Sequence, residues 1–105
     1  MKHIVVAALA MFLAALAQAQ AGEVSRIVGG FPPGQATDII ARLIAERIGP
    51  ILGETFIVEN RPGQGGSIAL AGLAKSQADG RTLVLAPLAS MVANPHLYKS
   101  VGYDT

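Results

Sequence analysis

The chain has 105 residues, no cysteine and no tryptophan, and eight Lys/Arg stand against seven Asp/Glu for a formal net charge of +1. Such a balance leaves no basic surface of the kind nucleic acid selects, and without cysteine there is neither a disulfide scaffold nor a thiolate metal site. The hydrophobic fraction of 51% is raised by the opening stretch.

Lys2 and His3 precede a continuous apolar run over residues 4–17, and Ala17-Gln18-Ala19 and Ala19-Gln20-Ala21 follow as two overlapping small-x-small cleavage sites. This is the pattern of a secretory signal peptide over residues 1–21, with cleavage after Ala19 or Ala21. The alternative is a retained anchor, but about 14 apolar residues fall short of the roughly 20 needed to cross a bilayer. Without Lys2, seven Lys/Arg balance seven Asp/Glu, so the mature part, from residue 22 onward, carries no net charge. An exported chain lacking disulfides fits a bacterial periplasm and must be held by its core.

Arg26 to Phe31 reads as a strand, and Phe31-Pro32-Pro33-Gly34-Gln35-Ala36 as a stiff turn. From Thr37 to Leu52 the pattern is helical, with Ile39, Ile40, Leu43, Ile44, Ile48 and Ile51 expected on a buried face. Asp38, Arg42 and Glu46, spaced by four, belong on the solvated face, with Asp38 a candidate for capping the helix. Gly49, Pro50 and Gly53 mark the helix end, and Thr55 to Glu59 is a second strand rich in β-branched and aromatic residues. A second glycine-rich turn, Asn60-Arg61-Pro62-Gly63-Gln64-Gly65-Gly66, opens a helix over residues 67–76. Arg81 to Ala86 is a third strand, and no terminal helix is expected after it. The order β-α-β-α-β implies right-handed crossovers and a parallel sheet with helices on both faces.

In such sheets ligands gather at the carboxyl ends of the strands. Both glycine-rich turns lie at that edge, as do residues 87–93. A helix start offers unpaired N–H groups and partial positive charge, so the first turn is suited to an anion. Each candidate residue has a plainer role. Asp38, negative where an anion would sit, is better suited to capping or dipole compensation. Arg61, between Glu59 and a proline turn, is either a carboxylate clamp or a structural tie of the loop. Ser90 either donates to a ligand or caps a short helix, and His96, Tyr98 and Tyr103 are packing or surface residues.

Residues 31–38, 58–66 (Val58-Glu59-Asn60-Arg61-Pro62-Gly63-Gln64-Gly65-Gly66), Asp79-Gly80-Arg81-Thr82-Leu83 and Asn94-Pro95-His96-Leu97-Tyr98, continuing to Tyr103-Asp104, occur in the order and spacing of the Bug family. The chain resembles these TctC-like substrate-binding proteins of tripartite tricarboxylate transporters from about Ile27 to Asp104. The resemblance implies a type II periplasmic-binding-protein α/β fold, of which the front part of the first lobe is present. It also implies a periplasmic receptor for a small carboxylate ligand, served by membrane permease subunits and monomeric at full length. No enzyme activity, cofactor or metal follows from it. It makes Phe31, Pro33, Gly34, Gln35, Thr37, Gly65, Gly66 and Ser90 the candidate ligand-binding residues. The sequence departs from the family pattern at Gln35 and Ala69, where glycine is usual, and at Gly30, where proline precedes the phenylalanine. A side chain at position 35 either restricts the loop or adds a donor.

The alternative is a dinucleotide-binding enzyme of Rossmann type, with Glu59 at the end of the second strand as the ribose-binding acid. Against it, Gly29-Gly30 and Gly34 do not make G-x-G-x-x-G, and two prolines stiffen the turn. A structural or adhesive secreted domain finds no support in repeats, cysteines or aromatic rows. No Gly-x-Ser-x-Gly elbow, cysteine nucleophile or His-Glu metal pattern is present.

Overall fold

The computed structural model describes residues 1–19 and 23–105. Helix α1 spans Lys2–Ala19, and its apolar side chains from Ile4 to Leu13 are exposed. Among the described residues no helix is long and apolar enough to cross a membrane. The cleavage position after Ala21 lies outside the described residues.

Three strands follow, β1 (Val24–Gly29), β2 (Thr55–Asn60) and β3 (Thr82–Leu85), all parallel, in the order β2-β1-β3. Ile27 pairs with Val58 on one side and Leu83 on the other, which makes β1 the central strand. The chain steps one way from β1 to β2 through helix α2 (Ala36–Leu52), then back past β1 to β3 through helix α3 (Ser67–Ala74). Right-handed crossovers therefore put α2 and α3 on opposite faces of the sheet. Phe56 and Val58 accordingly face Arg42 and Ala45 of α2, whereas Arg26 and Val28 face Ala69 and Leu73 of α3. The core is small: Ile27, Val28, Ala41, Ala69 and Leu70.

Three expectations from the sequence are corrected. The face of α2 turned to the sheet consists of Asp38, Ala41 and Gly49, with Ile44, Ala45 and Ile48 half-buried. Ile39, Ile40, Leu43 and Ile51 are exposed, Ile51 by 80%. Small residues win this face because they let the helix axis approach the strands, and a Cβ at Gly49 would already stand 3.0 Å from the Glu54 carbonyl oxygen. Asp38, expected with Arg42 and Glu46 on the solvated face unless it capped the helix, is only 4% exposed. Finally, the end of the chain does form helices, the short α4 (Leu88–Val92) and α5 (Asn94–Leu97).

Pro50 lies inside α2 rather than ending it. The helix runs to Gly53, which adopts a left-handed conformation (φ 66°) and donates its N–H back to Gly49 O, a terminus open to glycine at little steric cost. At the other end, Ser25 is buried and its hydroxyl donates to Glu54 Oε2 at 2.8 Å. That bond ties the start of β1 to the start of β2.

Candidate ligand-binding site

All three loops that leave the strands at their carboxyl ends meet. Gly30, just after β1, lies so close to Gly66 that a Cβ added to it would stand 2.6 Å from Gly66 Cα. A Cβ on Gly66 would in turn meet Ser90 Oγ at 2.8 Å and the Phe31 ring at 3.2 Å. In a β2-β1-β3 sheet the order reverses between β1 and β3, and the loops after those two strands diverge to leave a crevice. A cavity of about 160 Å³ occupies that place, lined by Phe31, Gln35, Ala36, Thr37 and Pro87.

The N-terminus of α2 faces this region. Its first intrahelical bond runs from Ile39 N to Gln35 O at 3.0 Å, so the N–H groups of Ala36 and Thr37 have no backbone partner among the described residues. Thr37 Oγ1 is buried and also lacks a partner there. Gln35 is the N-cap residue at φ −83° and ψ 170°, and its side chain makes no capping bond. An extended backbone of that kind suits any residue, so Gln35 does not restrict the loop. The position that uses glycine is Gly34, at φ 84°.

Asp38 organises the first loop. Its carboxylate accepts from Gly34 N at 2.9 Å, from Arg42 Nε at 3.0 Å and from Asn60 Nδ2 at 2.8 Å, joining loop, helix and the end of β2. The hydrogen bonds from Arg42, then Asn60, then Gly34 lower its pKa from 3.8 to about 2. An ionised carboxylate therefore already answers the helix dipole. Of the two roles expected of Asp38, capping or dipole compensation, its geometry matches the second. It stands in the first turn of α2 but accepts from Gly34 N, ahead of the N-cap Gln35, and among the described residues it caps no N–H of the helix itself.

The second loop is built differently. From Gly63 to Gly66 every residue has positive φ, including Gln64 at 49°, the one non-glycine of this kind among the described residues. Gln64 and Gly65 (φ 59°, ψ 32°) make a left-handed turn, an arrangement costing on the order of 1 kcal/mol at a residue with a Cβ. A buried neutral network holds it. Asn94 Nδ2 donates to Gly65 O at 2.8 Å and to Ser67 Oγ at 2.9 Å, with a longer approach of 3.3 Å to Gln64 O. Ser90 Oγ donates to Gly65 O at 2.8 Å, and the Tyr103 hydroxyl donates to Ser90 O and lies 3.3 Å from Ser67 Oγ.

Of the eight candidates, then, Phe31, Gln35 and Thr37 line the cavity, and Gly66 backs Phe31. Ser90 and Gly65 lie behind Gly66, with the Ser90 hydroxyl spent on Gly65 O. Pro33 and Gly34 are exposed and outside the lining. Ser67, Asn94 and Tyr103, the last assigned to packing, are polar supports that the sequence reading missed. The one available signal was Asn94-Pro95 at the start of α5, where Asn would be expected as a cap; its amide reaches some thirty residues back instead.

Arg61 pairs with Glu59 at 3.1 Å, and Arg26 approaches the same carboxylate at 3.5 Å. Arg61 is thus a structural tie, to Glu59, rather than a free clamp, and a Glu59 held by two guanidinium groups is poorly placed to receive a ribose. His96 is exposed on α5. Among the described residues no cluster of three His, Cys, Asp or Glu side chains is arranged for a metal ion.

The model of the tripartite tricarboxylate transporter family receptor matches residues 40–105. A UPF0065 protein of Bordetella bronchiseptica is 37% identical over 91 residues, covering 87% of this chain and 27% of that protein. Among solved structures, the periplasmic binding protein BugD superposes with a TM-score of 0.72 at 41% identity, over 77% of this chain and 27% of its own. Rpa4515 of R. palustris, solved with adipate, gives 0.72 at 38% identity over 76% and 27%. MatC from Rhodopseudomonas palustris, solved with bound malate, gives 0.72 at 32% identity over 77% and 28%. The chain thus spans little more than a quarter of the length of each of these four proteins.

Proposed function

From the premise that this chain belongs to the tripartite tricarboxylate transporter receptor family, we propose that the protein is an extracytoplasmic receptor for a small carboxylate-containing organic acid. It captures the acid without transforming it and delivers it to membrane permease subunits. Residues 1–21 act as the export signal and the mature part works in the periplasm as a monomer.

The observation that carries this reading is the crevice between the loops after β1 and β3, where the N–H groups of Ala36 and Thr37 and the buried Thr37 hydroxyl lack partners. Adipate and malate, the ligands of two structural relatives, are both dicarboxylates, which matches a site of neutral donors. With Asp38 ionised nearby, a ligand carboxylate is met by these neutral donors and by ordered water, not by an ion pair. Three hydrogen bonds to a ligand carboxylate at about 1.5–3 kcal/mol each, set against about 4 kcal/mol or more of lost freedom on association, fall short of the roughly 8 kcal/mol of micromolar affinity. The remainder calls for groups from the part of the relatives' length that this chain does not span, closing over the ligand and desolvating it.

The test is a titration of the chain with adipate, malate and nicotinamide dinucleotide, followed by amide NMR. Saturable shifts at Ala36 and Thr37 with the dicarboxylates, at Kd of about 1 mM or weaker, are expected. Saturation by the dinucleotide alone would overturn the receptor reading.

A further inference from the structure

Phe31 is one wall of the crevice, and its ring lies against Gly66, where an added Cβ would stand 3.2 Å from it. A shift of Gly66 therefore changes the support of that ring. Gly66 follows directly on the left-handed pair Gln64 and Gly65, whose carbonyls accept from Asn94 and Ser90. None of Ser67, Ser90, Asn94 or Tyr103 lines the cavity, yet Ser67, Ser90 and Asn94 are buried and all four are joined in one network.

Left-handed backbone at Gln64 is disfavoured on its own. Without Asn94 the Gln64 carbonyl loses its side-chain donor and Gly65 O keeps only the Ser90 hydroxyl, so the turn would relax toward an ordinary conformation and carry Gly66 with it. We infer that Asn94, with Ser90 and Tyr103 behind it, is a positioning residue: it clamps the Gln64–Gly66 turn in its left-handed form and so fixes the Phe31 wall of the ligand cleft without touching the ligand. The affinity part of this inference rests on the receptor reading above; the geometric part does not.

Two readouts keep the parts separate. In the ligand-free chain, the nuclear Overhauser effect between the Phe31 ring and the Gly66 α-protons reports the wall directly. It is strong in the native chain and weakened in Asn94→Ala. Adding Gln64→Gly to Asn94→Ala restores it, because glycine holds positive φ without strain, a rescue that the loss of a merely structural buried side chain would not show. Adipate affinity, the second readout, falls about fivefold in Asn94→Ala and recovers in the double variant. Tyr103→Phe, which keeps the ring and removes only the hydroxyl, changes both readouts in the same direction by less, and it serves alone if Asn94→Ala does not fold. An unchanged Phe31–Gly66 contact in the folded single variants overturns the inference, as does failure of Gln64→Gly to rescue. If the native chain saturates with nicotinamide dinucleotide alone, the receptor reading fails and the ligand-free contact still decides the clamp.

Discussion

The two glycine-rich loops at the carboxyl edge of the sheet look alike in sequence and are secured by opposite means. Loop one, residues 31–35, is exposed from Pro32 onward and is tied to helix α2 by a charged group, the buried Asp38 carboxylate, through its bond from Gly34. Loop two, residues 63–66, runs through positive φ at every residue and is held by hydroxyls, an amide and carbonyls, none of them charged. A charged clasp makes the loop it holds sensitive to pH. A buried neutral clasp forces an otherwise disfavoured backbone and is indifferent to pH. The two loops beside the crevice thus differ in what holds them, one a charge and the other a set of neutral hydrogen bonds.

Steric tests should divide the two most sharply. Gly30→Val should cost about 3 kcal/mol or more in denaturant unfolding, because the new Cβ would collide with the Gly66 backbone at 2.6 Å. Equal stability would mean that the two loops do not touch. Removing the clasp of loop one comes next. Asp38→Asn should lower the unfolding midpoint at neutral pH, because Arg42 loses its partner, while leaving the Phe31–Gly66 contact in place.

The same residue sets the pH response. Its folded pKa of about 2 lies below the ordinary 3.8, so the stabilisation is complete above roughly pH 4 and is lost as pH falls through about 2. Stability measured across that window should therefore decline in the native chain, and the decline should be shallower in Asp38→Asn. An identical slope would remove the charged clasp from the account.

Gly34→Ala should cost only about 1–2 kcal/mol. It strains φ at 84° but meets nothing within 4 Å, so the chain stays folded, and adipate binding should weaken through the displaced loop. Smallest of all, Arg61→Gln should change stability by less than about 1 kcal/mol, since its ion pair with Glu59 is half exposed. A larger loss would give Arg61 a role beyond that tie.

Much of the fold was legible because its signals are local. Alternation of β-branched runs with 3.6-period stretches and Gly/Pro turns specifies β-α-β-α-β, and handedness then places both loops on one edge. Local patterns misjudged α2, where Ile39, Ile40, Leu43 and Ile51 looked like the buried face. Periodicity registers hydrophobicity, whereas the sheet selected for small size and took Ala41 and Gly49, leaving Asp38 inside with its three donors. The short helices α4 and α5 were missed for a related reason: in four or five residues there is no period to detect.

By itself, then, the sequence determined the order of the elements, the edge at which a ligand would gather and the family that its motifs resemble, since each depends on residues near one another in the chain. Tertiary structure alone decided that Asp38 is buried, that Gln64 is left-handed and that Asn94 and Tyr103 support a loop 27–36 residues away. Those outcomes depend on which polar groups find one another once the strands are paired, and no local preference of the residues involved encodes that meeting.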